Sequence, residues 1–496
     1  MFKNEAFTDF SDETNKSAYF KAMEFWTKAH TTNALYACPI IDGDEVRTQN
    51  RIDSFDPSTG LPLGDVFLAS VDDATKAINS VRKGSNAWEQ CPVEKRAQCL
   101  RTIASTMRER KTALSALITL EEGKPWSEAD GDVAEAIDFC EYYALEMLRL
   151  SKPIKTEELK DEDNFYFYQP RGSVVVISPW NFPLAITAGM TVAALVTGNT
   201  TILKPARQSS LIAHEFAKIV LKSGIPSNAF AFLPSPGGQV GAFLASHPEI
   251  DMICFTGSME VGLDLIKTAG IVKPGQRNVK KVIAEMGGKN AMIIDSDAEI
   301  ESAVKAAIVS AFGFAGQKCS ALSRLIVVGD KYETFLAKFC EAAAKIKVGL
   351  ASDPDTFMGP VIDEASQKRI LSTIREAENS ISVAYKGECP SQGYFVPPTI
   401  FRDVPQDAFI WQEEIFGPVV ACCKVESFEE AIKKANSCAY ALTGGVFSKN
   451  KEHLDLAKRD FKVGNLYLNR KITGALVCRQ PFGGFRMSGI GSKAGG

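Results

Sequence analysis

The stretch from Gly172 to Leu203 reads GSVVVISPWNFPLAITAGMTVAALVTGNTTIL and holds no charged residue. It has the length of a membrane span, but Pro179, Asn181, Pro183, Gly189 and Gly198 interrupt it. A buried strand, a turn and a helix fit it better. Beyond the first strand, Val174 to Ile177, short apolar runs continue at Thr201 to Leu203, Phe230 to Leu233, Met252 to Phe255 and Val282 to Ala284, with helical segments between them. The alternation resumes at Ala291 to Ile294, Leu325 to Val328, Val419 to Cys422, Gly445 to Phe447 and Leu466 to Leu468. Strands alternating with helices imply parallel β-α-β units, here two of them, with a break at the Gly287-Gly288 pair.

Upstream, apolar residues recur at helical spacing from Val93 through Leu100, Ile103, Met107, Leu114 and Ile118. Gly123-Lys124-Pro125 then supplies a C-cap and a stop, so one helix is predicted there. A second helix is predicted over Asp132 to Leu150, and the polar, aromatic stretch Lys152 to Arg171 reads as a protruding hairpin. The first fifty residues read as an N-terminal arm. At 496 residues the chain exceeds one compact core, and 45% hydrophobic with 23% charged residues is globular usage. Fifty-six basic against 60 acidic residues leave a net charge of −4, which offers no general attraction to nucleic acid or an anionic membrane and favours a small-molecule partner. The N-terminus does not read as a signal peptide. Twelve cysteines without a C-x-x-C pair fit reduced thiols in a cytoplasmic protein rather than a disulfide framework or a zinc site.

Several segments carry possible chemistry. Phe255-Thr256-Gly257-Ser258-Met259-Glu260-Val261-Gly262 follows a strand and opens a helix, where backbone N–H groups can receive a pyrophosphate; a plain strand-to-helix turn needs glycine too, so the segment alone does not decide. Cys319 lies in Phe314-Ala315-Gly316-Gln317-Lys318-Cys319-Ser320, unlike a buried apolar thiol, and Lys318 or a helix N-terminus there would favour its thiolate. The four histidines lie in no site-like context, which disfavours a Cys-His hydrolase. A general base is then a carboxylate. Glu285, ending an apolar strand before Met286-Gly287-Gly288, is the candidate, since burial raises its pKa; an ion-paired structural glutamate is the competing reading. Asn181, in the turn after a strand, is either an oxyanion donor or an ordinary turn residue.

In chain order, Pro179-Trp180-Asn181-Phe182-Pro183, Lys204-Pro205-Ala206, Phe255-Thr256-Gly257-Ser258, Glu285-Met286-Gly287-Gly288-Lys289-Asn290, Gly316-Gln317-Lys318-Cys319 and Glu413-Glu414-Ile415-Phe416-Gly417-Pro418 resemble the motifs of the aldehyde dehydrogenase superfamily. The match runs over nearly the whole chain. It implies an α/β fold of two doubly wound domains, a Rossmann-like cofactor domain (1–151 and 172–286) and a catalytic domain (287–468). A β-hairpin oligomerisation flap (152–171) and a C-terminal substrate-anchor segment (469–496) complete it. The resemblance makes Cys319 the nucleophile, Glu285 the water-activating base, and Asn181 an oxyanion donor beside the Cys319 backbone N–H. It puts Lys204 at the adenosine ribose, Ser258 and Trp180 at the pyrophosphate, and Glu414 with Phe416 at the nicotinamide ribose and ring; Ser178, Gly257 and Gly287 join the cofactor set. Many members carry Glu three residues after the lysine, where it repels a 2′-phosphate. Arg207 stands there instead and attracts one, so NAD is expected with NADP left open.

A narrower resemblance links Asn469 to Val477 and Pro481 to Gly489 with the branch that oxidises L-glutamate 5-semialdehyde. It implies that the backbone of Gly474 and Ala475 and the hydroxyl of Ser320 hold the substrate α-carboxylate, that Phe182 and Phe485 flank the methylene chain, and that Glu135 lies near the substrate ammonium. Branch members usually continue past Ala494-Gly495-Gly496. No metal is implied, and a homo-oligomer, at least a dimer, is expected through the hairpin. Two alternatives stand beside this reading. One is oxidation of another semialdehyde or a neutral aldehyde, against which the Thr473-Gly474-Ala475 loop argues. The other is an inactive aldehyde dehydrogenase-like binding protein, which has no need to keep Cys319, Glu285 and Asn181 together.

Overall fold

The computed structural model describes residues 2–32 and 34–496. Its uncharged central stretch resolves into the strand Ser173–Ile177, the helix Ala185–Val196 and the strand Thr200–Lys204. The two strands pair in parallel, and both lie buried, as strands covered on two faces must. They stand at the centre of an eight-stranded sheet. One wing continues through Met252–Thr256 and Lys281–Glu285 to Gly489–Ile490, the other through Phe230–Phe232 and Ile40–Ile41 to Asp44–Glu45. The chain passes from Glu285 to a second, seven-stranded sheet at Asn290–Ile294, whose neighbours are Leu322–Val328 and Thr443–Phe447. The C-terminal segment then returns, pairing Gly489 with Glu285.

Each sheet has its own apolar core, and large side chains such as Phe216, Phe230, Phe335 and Trp411 are fully enclosed. The hairpin Ile154–Lys155 with Phe165–Tyr166 stands apart, with Phe165, Tyr166, Phe167 and Tyr168 exposed.

Two local expectations change. The run predicted as one helix from Val93 is two, Val93–Glu109 and Lys111–Glu122. Arg110 leaves helical geometry between them, and its guanidinium meets Glu215 Oε2 at 2.6 Å; Gly123 ends the second helix at φ +67°. The following helix begins at Trp126 rather than Asp132, directly after Pro125, whose fixed φ and missing N–H suit a helix start. Within the segment expected as an N-terminal arm, the helix Glu13–Thr31 packs closely, burying Tyr19, Met23 and Trp26, with the Tyr19 hydroxyl 2.8 Å from Thr119 Oγ1.

Candidate active site

The helix Ile300–Phe312 runs into a tight turn, Gly313–Gly316, and the chain reaches the strand Leu322–Val328 only after Cys319. Phe314 and Ala315 both adopt positive φ there, a conformation that side-chain residues take only under tight constraint. Gly316 is obligatory at φ +69°, because a Cβ would run into the carbonyl of Gly417.

Every carbonyl from Gln317 to Ala321 then accepts a hydrogen bond. Asn181 Nδ2 donates to Gln317 at 3.1 Å, the Ala321 N–H to Lys318 at 2.9 Å, and Thr443 Oγ1 to Ser320 at 3.3 Å. Asn290 Nδ2 donates to Cys319 at 2.7 Å and to Ala321 at 2.8 Å, while its Oδ1 accepts from the Thr443 N–H at 3.0 Å. Gln317 anchors the loop outward, donating to the Pro360 carbonyl and accepting from the Ile362 N–H.

Burial pushes the Cys319 thiol well above its ordinary range, and the neighbouring carboxyls of Glu414 and Glu285 push the same way; the Ser320 N–H opposes them. Two expected aids to the thiolate are absent. Lys318 turns away to Glu128 Oε1 at 2.6 Å, and Cys319 sits in a turn before a strand, not at a helix N-terminus.

Cys319 and Glu285 line one cavity of about 380 Å³, together with Glu135, Phe182, Ser320, Gly474 and Ala475. Burial raises the Glu285 carboxyl to about 8, against the pull of the Gly484 N–H and Lys493, and its Oε2 has no partner. Glu135 is likewise raised to about 8, by burial first and by Asp132 second. Phe485 is misplaced in the sequence reading. It belongs to the strand Phe485–Arg486, paired with Tyr440–Ala441, and is 41% exposed off the cavity; Phe482 lines the cavity instead. Strand pairing at 485 fixes which of the two rings faces inward.

Phe182 rests on a feature the sequence reading missed. The Lys124 ammonium lies 4.1 Å from the Phe182 ring centre and 4.9 Å from that of Phe314. It also meets Asp132 Oδ2 at 2.6 Å with both side chains wholly enclosed, and Asp132 Oδ1 accepts from the Ala185 N–H at 2.7 Å.

The expected cofactor residues form a second grouping. Glu414 Oε1 accepts from the Gly288 N–H at 2.8 Å, and a Cβ at Gly287 would run into that carboxylate, which burial raises to about 7. Trp180 meets Phe416 edge-on at 5.5 Å between ring centres and Phe314 at 6.4 Å. Ser258 caps the helix Met259–Ala269 after Gly257, leaving that N-terminus at a strand end. Lys204 is buried, its ammonium lowered to about 8 by burial and, among the described residues, bonded only to the adjacent Pro205 carbonyl at 3.3 Å. Ser178 packs beneath this strand end, its N–H donating to the Lys204 carbonyl at 3.1 Å and its Oγ accepting from Thr187. A buried ammonium with donors to spare, a helix N-terminus only partly capped by Ser258 and a carboxylate against a glycine pair fit the hydroxyls and pyrophosphate of a dinucleotide. Arg207, three residues beyond Lys204, is exposed and lines a cavity of about 290 Å³ with Asp53, Asp363 and Tyr394.

The aldehyde dehydrogenase family profile matches residues 45–496, and the chain belongs to that family. Within it, the chain is 46% identical to a 1-pyrroline-5-carboxylate dehydrogenase of Bacillus licheniformis, over all of this chain and 96% of that one. It is 45% identical, with the same coverage, to 1-pyrroline-5-carboxylate dehydrogenase 2 of Bacillus subtilis. Among solved structures, a 1-pyrroline-5-carboxylate dehydrogenase from Thermus with bound NAD superposes with a TM-score of 0.97 at 42% identity, covering all of this chain and 96% of that one. Proline utilization A from Bdellovibrio bacteriovorus superposes at 0.98 with 44% identity, and this chain spans 52% of that longer protein.

Proposed function

We propose that this protein oxidises L-glutamate 5-semialdehyde, the open form of 1-pyrroline-5-carboxylate, to L-glutamate, with NAD accepting the hydride. In this reading residues 1–151 and 172–286 hold the cofactor and 287–468 carry the nucleophile. The observation that carries it is a single cavity where Cys319, Glu285 and the Gly474-Ala475 backbone meet. Full-length similarity to enzymes named for that activity supports the choice of substrate.

Cys319 Sγ attacks the aldehyde carbon, giving its proton to a base in the cavity and forming a thiohemiacetal. The Asn181 amide has one N–H bonded to Gln317 and a second for the oxyanion, beside the Cys319 backbone N–H. Bound NAD supplies a hydride acceptor, and Cys319 is left as a thioester. Glu285, as carboxylate, takes a proton from water; the hydroxide oxygen adds to the thioester carbon and Cys319 Sγ leaves. Ser320 and the backbone at Gly474 and Ala475 are suited to the substrate carboxylate, Phe182 to its methylenes and Glu135 to its ammonium. Lys204, Ser258, Trp180, Glu414 and Phe416 hold the dinucleotide.

Among the described residues no helix is long and apolar enough to cross a membrane. Twelve free thiols support a cytoplasmic setting, and the exposed aromatic hairpin supports a homo-oligomer, at least a dimer, closed through that flap. A substrate panel with both cofactors tests the assignment. Glutamate semialdehyde with NAD should be turned over far faster than propanal or succinate semialdehyde, and the reverse ranking overturns it.

A further inference from the structure

At the sheet edge opposite Glu285 lies a cluster that aldehyde oxidation does not use. Cys38 follows the strand Tyr36–Ala37, Glu45 sits on the edge strand Asp44–Glu45, and His214 projects from the helix Ser210–Lys222. Their ligand atoms lie within 4.8 Å of one another, and among the described residues they are the one group of three such side chains so arranged. We propose that Cys38 Sγ, His214 Nε2 and Glu45 Oε1 bind a divalent transition metal, zinc by preference, which fastens the edge hairpin to that helix.

Hydrogen bonding alone holds the cluster loosely. His214 Nε2 stands 3.8 Å from Cys38 Sγ and 3.4 Å from Glu45 Oε1, both long. In any one state it either donates or accepts, so it serves one neighbour and not the other. A metal ion serves all three. Tetrahedral zinc, with sulfur at about 2.3 Å and nitrogen or oxygen at about 2.0 Å, sets sulfur–nitrogen edges of about 3.5 Å and nitrogen–oxygen edges of about 3.3 Å. The two separations from Nε2 need to close by only a few tenths of an ångström, and the sulfur–oxygen one, within 4.8 Å, closes toward about 3.5 Å by rotation of the exposed Glu45 side chain.

The protonation states agree with this. Burial lowers His214 to about 4, so its imidazole is neutral with a lone pair to give; burial raises the Cys38 thiol to about 12, so metal binding releases a proton. The nearby cations do not fill the place: Arg47 stacks over the Tyr36 ring at 4.2 Å, and Lys218 is paired with Glu215. The other Glu45 oxygen accepts from the Tyr36 hydroxyl at 2.7 Å, an outer partner that orients the carboxylate. Glu45 is exposed, so solvent supplies both an entry path and a fourth ligand. Thiolate, imidazole and carboxylate together select zinc over calcium or magnesium.

Metal-free protein is titrated with Co²⁺, whose bond to a thiolate gives a charge-transfer absorption. One equivalent should produce the band and Zn²⁺ should abolish it. Cys38→Ser should remove it, whereas Cys319→Ser should keep it. Glu45→Gln, a change at the exposed ligand that leaves the fold intact, should weaken cobalt binding by at least about tenfold while aldehyde oxidation is unchanged. Absence of a stoichiometric band, its persistence in Cys38→Ser, or undiminished affinity in Glu45→Gln overturns the proposal.

Discussion

Asn290 holds Cys319 by its carbonyl, at 2.7 Å, and through the same amide holds Ala321 and the Thr443 N–H. One side chain thus joins the Cys319 loop to two strands of the second sheet. Asn290→Ala leaves two carbonyls and one N–H unpaired in a closed site, which costs about 2 kcal/mol or more of stability. A merely structural role predicts nothing further. Positioning of the thiol predicts a kcat reduced by about ten- to a hundredfold with KM little changed, and an altered rate of Cys319 alkylation. Steady-state kinetics and iodoacetamide labelling read both.

Cys319→Ala should abolish aldehyde-dependent NADH formation, by about a thousandfold or more; Cys254 also lines the cavity, but it lies mid-strand in Met252–Thr256 with its thiol raised to about 12 by burial and should not replace Cys319. NAD binding, followed by calorimetry, should persist, since the dinucleotide residues do not depend on that sulfur. Retained turnover removes Cys319 from its role.

In the proposed role Glu285 accepts a proton only when ionised, and its carboxyl is raised to about 8. Below that pH its carboxylate fraction falls about tenfold per unit, so kcat should rise with pH and level off above about 8. Glu285→Gln should yield one burst of NADH and then stall, with the thioester trapped, and this limb should vanish from what activity is left. Survival of the limb in Glu285→Gln assigns it to another group.

The parts of this site that local pattern encodes were legible in the sequence. Alternating apolar runs announced the parallel sheets, and Glu285 at a strand end and Cys319 among polar neighbours stood out from other carboxylates and thiols. What failed depends on contacts between distant residues. Adjacency in sequence makes Lys318 the expected aid to the thiolate, yet its partner Glu128 lies 190 residues away. Phe482 and Phe485 are equivalent by composition, and only the pairing of Phe485 with Ala441 decides which of them faces the cavity. Asn290 belongs to a recognisable motif, but a clamp onto Cys319 has no signature until the strands of the second sheet pair. The break at Arg110 was hidden because apolar spacing continues across it.

Lys124 and Asp132 make the last test, because the pair is wholly enclosed and stands behind Phe182. Lys124→Met removes the cation and leaves the Asp132 carboxylate with one backbone donor, so about 3–5 kcal/mol of stability should be lost. Lys124→Met combined with Asp132→Asn keeps an acceptor for the Ala185 N–H and removes the lone charge, so it should recover much of that loss. If the ammonium also fixes the Phe182 ring, the double variant should still show a raised KM for the aldehyde and an unchanged KM for NAD. Thermal unfolding reads the first effect and the two Michaelis constants the second. Equal destabilisation of single and double variants would show that the pair contributes through shape rather than charge.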